Sequence, residues 1–135
     1  MLVRTSAFSQ IGKMREDYFI DYVDTEWCIR ATSNGFTLLG VGGELMAHKL
    51  GDGFAKIWFG RWRWVAKYQP LRYFYAFRNG VDLLIRGGLT LRWRVYLAGR
   101  LVGYLGYLIL LDRRWRAVTA ACEGFVDGLS GRFKE

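Results

Sequence analysis

The sequence contains few of the residues that cross-link small proteins or bind metals in them. It has two cysteines, Cys28 and Cys122, and a single histidine among 135 residues. The cysteines show no CxxC spacing and supply no disulfide framework, so a reducing compartment is the default expectation. One histidine, with no partner at metal-ligand spacing, does not by itself predict a metal centre.

Long uncharged runs are also absent. Within residues 53–135 the longest charge-free run is Leu101–Leu111, eleven residues that follow Arg100 and precede Asp112. A membrane-spanning helix needs about 20 apolar residues, so this run is expected to be too short to cross a bilayer. Its charged and aromatic flanks favour a helix that lies in the membrane interface. No signal peptide is apparent at the N-terminus, and no internal repeat is evident.

Apolar and aromatic residues are abundant, whereas acidic residues are concentrated near the N-terminus. Hydrophobic residues make up 52% of the chain and aromatic residues 17%, which predicts one folded domain rather than a disordered chain. Residues 1–52 contain five Lys and Arg against seven Asp and Glu, a net charge of −2. Residues 53–135 contain fifteen against five, a net charge of +10. The basic second part predicts an anionic partner, either a nucleic acid or a membrane surface.

The segment after Tyr18 has the pattern of an amphipathic helix, predicted here over Phe19–Ser33. Its apolar stripe, plotted at 100° per residue, consists of Ile20, Val23, Trp27 and Ala31. Asn34-Gly35 is a strong helix stop, since both residues tolerate positive φ. Glu26 lies four residues before Arg30, which predicts an i,i+4 ion pair. Acids in a first helical turn also simply complement the helix dipole, so the pattern alone gives them no function.

The remaining elements follow from local signals. The glycine-bounded run Phe36–Val41 predicts a strand. Gln69-Pro70 interrupts the chain, because the residue before a proline avoids the helical region, and most of Leu71–Gly128 is predicted to be helical. Within that region the arginines are expected either to bind a ligand or to be solvated beside a core stripe. The residues of that stripe are Tyr73, Phe77 and Leu84.

Three phrases of the chain are similar to one enzyme family. The segment YFIDYVDTEWCIRATSNGFTLLGV, residues 18–41, resembles the region around the catalytic carboxylate of inverting family-two glycosyltransferases, especially the bacterial rhamnosyltransferase-like branch. The phrase LRYFYAFRN at residues 71–79 and the tail GFVDGLSGR at residues 124–132 resemble two further phrases of that branch. The resemblance therefore covers most of the chain.

The resemblance implies an α/β fragment. Residues 1–53 would be the C-terminal part of a GT-A-type nucleotide-sugar transferase domain, and residues 54–135 a mostly helical, basic, membrane-associating extension. The nucleotide-binding units and the Asp-x-Asp metal motif of the family are not present in the sequence. We therefore expect that this chain alone transfers no sugar.

The resemblance also implies roles for single residues. Asp24 would be the general base, and His48 would face the divalent metal, Mg or Mn, of the complete enzyme. The substrate-binding residues that it implies are Glu26, Trp27, Arg72, Arg78 and Asn79. Glu26 and Trp27 would line the acceptor side. The diphosphate of the nucleotide-sugar would face His48, Arg72 and Arg78.

The implied partners are a nucleotide-sugar donor such as dTDP-rhamnose, a lipid-linked glycan acceptor, and an anionic membrane. The implied location is peripheral, on the cytoplasmic face of the bacterial inner membrane. A non-catalytic small protein that binds anionic lipid through its basic aromatic half is the alternative. A nucleic-acid partner is not expected, because the arginines lie on apolar runs and no recognition motif is present.

Overall fold

The computed structural model describes residues 2–40, 42 and 53–133. These residues form two compact units: the first comprises the chain up to Leu38 and from Pro70 onward, and the second comprises Leu39–Gln69. The division expected at residue 53 falls inside the second unit. The assignment of residues 1–53 to a catalytic domain stays a prediction.

The first unit is helical. Its elements are α1 (Thr5–Ile11), a 3-10 turn (Glu16–Tyr18), α2 (Val23–Ser33), α3 (Pro70–Arg86), α4 (Leu91–Tyr107), a π-helical turn (Leu108–Asp112) and α5 (Trp115–Ser130). The prediction that most of Leu71–Gly128 is helical is confirmed. The helix α3 begins at Pro70, where the fixed φ of proline suits a first helical turn.

Helix α2 is shorter than the sequence pattern predicted. It begins at Val23 rather than Phe19, because Phe19, Asp21 and Tyr22 all have positive φ, which a right-handed helix does not allow. Its predicted end is confirmed. The helix stops at Ser33, and Gly35 takes a φ of +82°.

A small core joins α2 to α1. Trp27 and Ala31 pack with Ala7 and Ile11, and all four side chains are buried. The indole Nε1 of Trp27 donates a hydrogen bond of 2.9 Å to the carbonyl oxygen of Gly12. The two C-terminal residues of the predicted apolar stripe are therefore core residues, as their spacing indicated.

Helices α3 and α5 form the main packing interface of the first unit, and glycines permit their close approach. A Cβ atom at Gly128 would lie 2.5 Å from the carbonyl oxygen of Arg78, and one at Gly124 would overlap the backbone of Phe74. The glycines of the C-terminal phrase thus have a packing role. Only a residue without a Cβ lets the two backbones approach this closely.

The second unit contains an antiparallel hairpin, with β1 at Gly53–Phe59 and β2 at Arg61–Lys67. The turn between them is at Gly60, which has a φ of +67°. Residues 54–135 are mostly helical, as expected, but this segment is not. Its alternating Trp and Arg follow the two-residue period of a strand. The strand predicted over Phe36–Val41 is also wrong for residues 36–40, which are irregular, and Val41 lies outside the described residues.

The described part of the chain is thus mostly helical, with one two-stranded sheet. It contains no parallel sheet of the α/β type expected from the resemblance. The GT-A assignment is therefore not established by these residues.

Candidate functional site

Asp24, the predicted general base, is an exposed residue in the first turn of α2. Its Oδ1 accepts a hydrogen bond of 2.9 Å from the backbone N–H of Thr25. Among the described residues it makes no ion pair. A carboxylate in this setting is accessible to a substrate hydroxyl and is not held by a neighbouring cation.

Glu26 and Trp27, predicted to line the acceptor side, are both buried. The predicted ion pair of Glu26 with Arg30 is confirmed, since Arg30 Nε donates to Glu26 Oε1 at 2.6 Å. Arg30 also donates to the carbonyl oxygens of Ile11 and Lys13, both at 2.8 Å. This pair joins α2 to the end of α1, and Trp27 belongs to the core between them. The structure gives both predicted residues a role within the fold.

Arg72 contacts the segment that precedes α2. Its Nε and Nη2 atoms donate to the two carboxylate oxygens of Asp21 at 3.0 and 3.1 Å. Such a two-point contact between a guanidinium and a carboxylate fixes the orientation of both groups. The arginine side chain keeps 34% of its surface exposed, so it remains accessible to solvent beside Asp21.

Asn79 lies inside the protein and binds the backbone of the same segment. It is 0% exposed, and its Nδ2 donates to the carbonyl oxygens of Tyr18, Ile20 and Asp21 at 2.8, 2.8 and 3.0 Å. Its Oδ1 accepts a hydrogen bond of 3.0 Å from Arg78 Nε. All polar atoms of this amide are therefore satisfied within the chain.

Arg78 is the buried neighbour of Asn79. Its Nη2 donates to the carbonyl oxygen of Asp17, and its guanidinium lies 4.8 Å from the ring centres of Tyr75 and Phe133. Burial lowers the pKa of this guanidinium from its ordinary value. The alternative of solvated arginines on α3 is therefore wrong for Arg78, which is 2% exposed.

Asp82, which sequence reasoning did not select, joins three donors from two parts of the chain. The Oδ2 atom accepts from Arg15 Nη1 and from the hydroxyl of Tyr18, each at 2.7 Å, and Oδ1 accepts from Arg86 Nη1 at 2.7 Å. Asp82 is 0% exposed. The four-residue spacing to Arg86 was a visible signal for one of these contacts. The contacts with Arg15 and Tyr18 span more than 60 positions in sequence, and no local pattern predicts them.

The segment held by these α3 side chains has unusual backbone geometry. Phe19 has φ +57° and ψ −61°, and the N–H of Ile20 donates to the carbonyl oxygen of Tyr18 at 2.6 Å. These features define a γ-turn of the rare positive-φ form, which is strained. Asp21 and Tyr22 follow at φ +61° and +63°. Strained non-glycine backbone of this kind persists only where surrounding contacts hold it.

Three of the predicted substrate-binding residues thus converge on one feature. Arg72, Arg78 and Asn79 all bind residues 17–21, immediately before the helix that carries Asp24. Glu26 and Trp27 instead stabilise the other side of α2. The assignment of these five residues to substrate binding stays a prediction.

The predicted metal ligand, His48, lies outside the described residues. Among the residues that the structure does describe, no group of three or more His, Cys, Asp or Glu side chains could hold a metal ion. The described residues therefore do not fit a metal centre, and no chemical step at Asp24 is derived through one.

Two surfaces carry exposed aromatic and basic residues. One face of the hairpin presents Trp58, Trp62 and Trp64, each more than 60% exposed, and the ammonium of Lys56 lies 4.9 Å from the ring centre of Trp62. The second surface belongs to α4 and the π-helical turn. Its exposed large apolar residues are Leu91, Trp93, Val95, Tyr96, Val102, Ile109, Leu110 and Leu111.

The second of these surfaces is longer than the sequence run suggested. Leu91–Asp112 is continuous over 22 residues, with a mean hydropathy of 1.4 in its most apolar window, of which 22% is buried. By length and composition this helix is sufficient to cross a membrane, which overturns the argument from the eleven-residue run. Core helices of soluble proteins have the same length and composition.

Comparison with known proteins finds a rhamnosyltransferase. The chain is 34% identical over 90 residues to the dTDP-rhamnosyl transferase RfbF of Shigella flexneri. The match covers 67% of this chain and 29% of the relative, so the chain spans less than a third of that protein's length. No family model matches the chain, and no solved structure does. The resemblance deduced from the three phrases is confirmed by this relative.

Proposed function

We propose, from the premise that this chain is a homologue of part of a rhamnosyltransferase-like glycosyltransferase, that it supplies the general base of an inverting sugar transfer. The observation that carries the proposal is the 90-residue match to the Shigella flexneri dTDP-rhamnosyl transferase. The exposed position of Asp24, at the start of a helix anchored to α1, supports it. A base must be within hydrogen-bond reach of the proton that it removes, and an exposed carboxylate permits this.

In the proposed step Asp24 accepts the proton of an acceptor hydroxyl. The acceptor oxygen then forms a bond to the anomeric carbon of the donor sugar, on the face opposite the leaving group. The bond from that carbon to the nucleoside diphosphate breaks, and its electron pair leaves with the diphosphate. Attack from the opposite face inverts the configuration. By analogy with the relative's name, the donor we propose is dTDP-rhamnose.

The diphosphate needs positive charge as it leaves. Of the two arginines in the LRYFYAFRN phrase, Arg72 is the one we propose for this role, because its side chain keeps 34% of its surface exposed. Arg78 Nε and Nη2 and the amide of Asn79 are engaged by the chain itself. A divalent metal, Mg or Mn, would belong to a donor-binding part supplied in addition to the described residues, with His48 facing it. Sugar transfer is accordingly proposed to need that part, and this chain alone to be inactive.

We further propose that the acceptor is lipid-linked and that the chain acts at the cytoplasmic face of the bacterial inner membrane. Tryptophan and tyrosine prefer the membrane interface, and arginines favour anionic headgroups. The surface of α4 combines Trp93 and Tyr96 with Arg92 and Arg94. Leu97 and Leu101 of the same helix are buried in the protein. A helix with one face packed in this way favours peripheral attachment over a lipid-surrounded span.

The second candidate function is a non-catalytic protein that binds anionic lipid. It is favoured by the exposed tryptophans of the hairpin and by the basic charge of residues 53–135. In this second candidate the protein transfers no sugar, and Asp24 has no catalytic role.

A segment exchange tests the catalytic proposal. The matched segment of the Shigella flexneri transferase is replaced by the corresponding segment of this chain, and rhamnose transfer from dTDP-rhamnose is measured. We expect activity, and we expect Asp24→Asn to lower the rate by about 10²–10⁴, the usual contribution of a general base. Glu16→Gln, at another exposed carboxylate, is the matched control and should leave the rate unchanged. An active hybrid whose rate is insensitive to Asp24→Asn would contradict the assignment of the base.

Vesicle flotation tests the membrane proposal. The purified chain should float with anionic vesicles at low salt and bind neutral vesicles less. Because both charge and apolar burial contribute, near-molar salt should release part of the protein and detergent all of it. A chain that stays entirely unbound to anionic vesicles at low salt would exclude membrane binding through these surfaces.

A further inference from the structure

The backbone just before Asp24 is held in an unfavourable conformation by one buried amide. Three non-glycine residues, Phe19, Asp21 and Tyr22, have positive φ within four positions. Asn79 donates to the carbonyl oxygens of Tyr18, Ile20 and Asp21, on both sides of the γ-turn. The carbonyl oxygens that bind Asn79 therefore lie on both sides of Phe19, the residue at the centre of the γ-turn. Movement of this segment would break hydrogen bonds of a fully buried donor.

The contacts with α3 continue to Tyr22, the residue immediately before α2. Tyr22 precedes α2, and its carbonyl oxygen accepts from the N–H of Glu26 at 2.8 Å, closing the first helical turn. A Cβ on Gly80, next to Asn79, would lie 3.4 Å from Cε2 of Tyr22, so the Tyr22 ring packs directly on α3. The segment is also bound at Asp21 by Arg72. Adjacent residues of α3 thus bind the backbone and the ring that define where α2 starts.

We propose that Asn79 is a positioning residue, which holds the positive-φ backbone of residues 18–22 and thereby fixes Asp24 at the start of α2. The proposal deepens the proposed function and rests on it, because it takes Asp24 to be the base. It departs from the direct substrate contact that the family resemblance implied for Asn79. Only two protons are available on Nδ2, and three carbonyl oxygens of the chain already receive them.

An isosteric substitution tests the proposal in the full chain without any measurement of sugar transfer. Asn79→Asp keeps the shape and the acceptor Oδ1 but replaces the donor with a carboxylate that faces three carbonyl oxygens. We expect amide exchange at Ile20, followed by NMR, to become at least about tenfold faster, and the ¹³C carboxyl signal of Asp24 to shift. The helices should remain folded by circular dichroism under the same conditions.

The matched control is Asn34→Asp at the other end of the same helix. Asn34 is exposed, and its Nδ2 donates to one carbonyl oxygen, that of Arg30, at 2.8 Å. The control should leave the Ile20 exchange rate and the Asp24 signal unchanged. If the folded Asn79→Asp chain keeps the wild-type exchange rate at Ile20 and the wild-type Asp24 signal, the proposal is overturned.

A rescue variant separates positioning from general stabilisation. Glycine adopts the backbone angles of Phe19 without steric cost, so Phe19→Gly should restore part of the Ile20 protection in the Asn79→Asp chain. No recovery at all would overturn the proposal. If Asn79 variants do not fold, a measurement on the wild-type chain still tests the proposal. Its Asn79 side-chain protons should exchange at least about 100-fold more slowly than those of Asn34, and equal rates would overturn the proposal.

These readouts also keep the proposal separate from the catalytic one. Failure of the segment exchange to transfer rhamnose would count against Asp24 as base, whereas the exchange rates would still report the hold on residues 18–22. Unchanged exchange rates in an active hybrid would count against Asn79 alone.

Discussion

Helices α3 and α4 are each 17 residues long and carry three arginines, yet they use them in different ways. On α3 the arginines bind the chain itself: Arg72 binds Asp21, Arg78 binds the carbonyl of Asp17, and Arg86 binds Asp82 and two carbonyls of α5. On α4, Arg92 is exposed, Arg94 donates to the carbonyl of Leu89, and Arg100 lies beside the rings of Tyr22 and Tyr104. Among the described residues, the arginines of α4 have no acidic partner.

The difference shows that the partner of an arginine depends on distant parts of the chain. Helix α3 buries eight residues, because the segment before α2 and the whole of α5 pack against it, whereas α4 buries three. The net charge of +10 for residues 53–135 therefore overstates the free basic surface. Part of that charge is neutralised by acids of the N-terminal segment, such as Asp21 bound to Arg72. On α4 the described residues offer no acid that would neutralise the arginines in this way.

The largest effect is expected from removing the centre of the α3 network. Asp82→Ala deprives Arg15, Tyr18 and Arg86 of their shared acceptor, and breaking a buried ion pair typically costs about 3–5 kcal/mol. Urea unfolding followed by circular dichroism measures the loss. Asp24→Ala, at an exposed aspartate of the same unit that complements the dipole of α2, should change the unfolding free energy by at most about 1 kcal/mol. Equal effects of the two substitutions would contradict the central role of Asp82.

The next largest change in stability is expected at Gly124 of α5, which packs on α3. Gly103 of α4 serves as the comparison. Gly124→Ala places a Cβ against the backbone of Phe74, and the resulting shift of α5 should cost about 3 kcal/mol. In α4, a Cβ at Gly103 meets no atom within 4 Å. Gly103→Ala should therefore stabilise the helix by up to about 1 kcal/mol. Thermal unfolding of both variants checks the opposite signs, and a loss of stability in Gly103→Ala would show that α4 is covered in solution.

Much of the helical fold could be predicted from sequence. The Asn34-Gly35 stop, the Glu26–Arg30 pair and the burial of Trp27 follow from short-range periodicity, which is why these predictions hold. The start of α2 could not be predicted in this way. Phe19 belongs by pattern to a helix, and it leaves that conformation because Asn79, 60 positions later, binds the carbonyls on either side of it.

The hairpin was predictable in principle and was missed. The resemblance assigned the segment to a mostly helical, basic extension, although its alternating Trp and Arg have the two-residue period of a strand and Gly60 supplies the turn. For the candidate site, the sequence identified Arg78 and Asn79 by resemblance. Their burial against residues 17–21 could not be deduced, because contacts across about 60 positions leave no local pattern.

The stability of the fold is expected to depend on pH through Tyr22, whose ring packs on α3 at Gly80 and lies under Arg100 of α4. Burial, more than any neighbouring group, raises the pKa of its hydroxyl from 10.0 to about 12. The folded state then holds the proton more tightly than the unfolded state. The stabilisation is complete below pH 10 and is lost as the pH rises towards 12. We expect a contribution of about 1–2 kcal/mol after allowance for partial solvent access.

Urea unfolding at pH 9 and at pH 11.5 measures this contribution. Tyr22→Phe removes the titrating hydroxyl and keeps the ring, so the variant should lose less stability than the wild type between the two pH values. Tyr18, whose pKa burial also raises, is present in both proteins and does not affect the difference. Identical losses would place the Tyr22 hydroxyl in contact with solvent.

The smallest expected effect is a change in vesicle affinity, and it directly compares an arginine of α4 with an arginine of α3. Arg92→Gln removes an exposed charge from α4, and a basic residue near an anionic surface contributes about 1 kcal/mol to binding. Affinity for anionic vesicles at low salt should therefore fall by about fivefold. Arg72→Gln lowers the net charge by the same amount, but its guanidinium is already bound to Asp21 on α3. That variant should retain nearly wild-type affinity as long as circular dichroism shows it folded. If both variants lose the same affinity, total charge governs binding and the distinction between the two helices does not extend to the membrane.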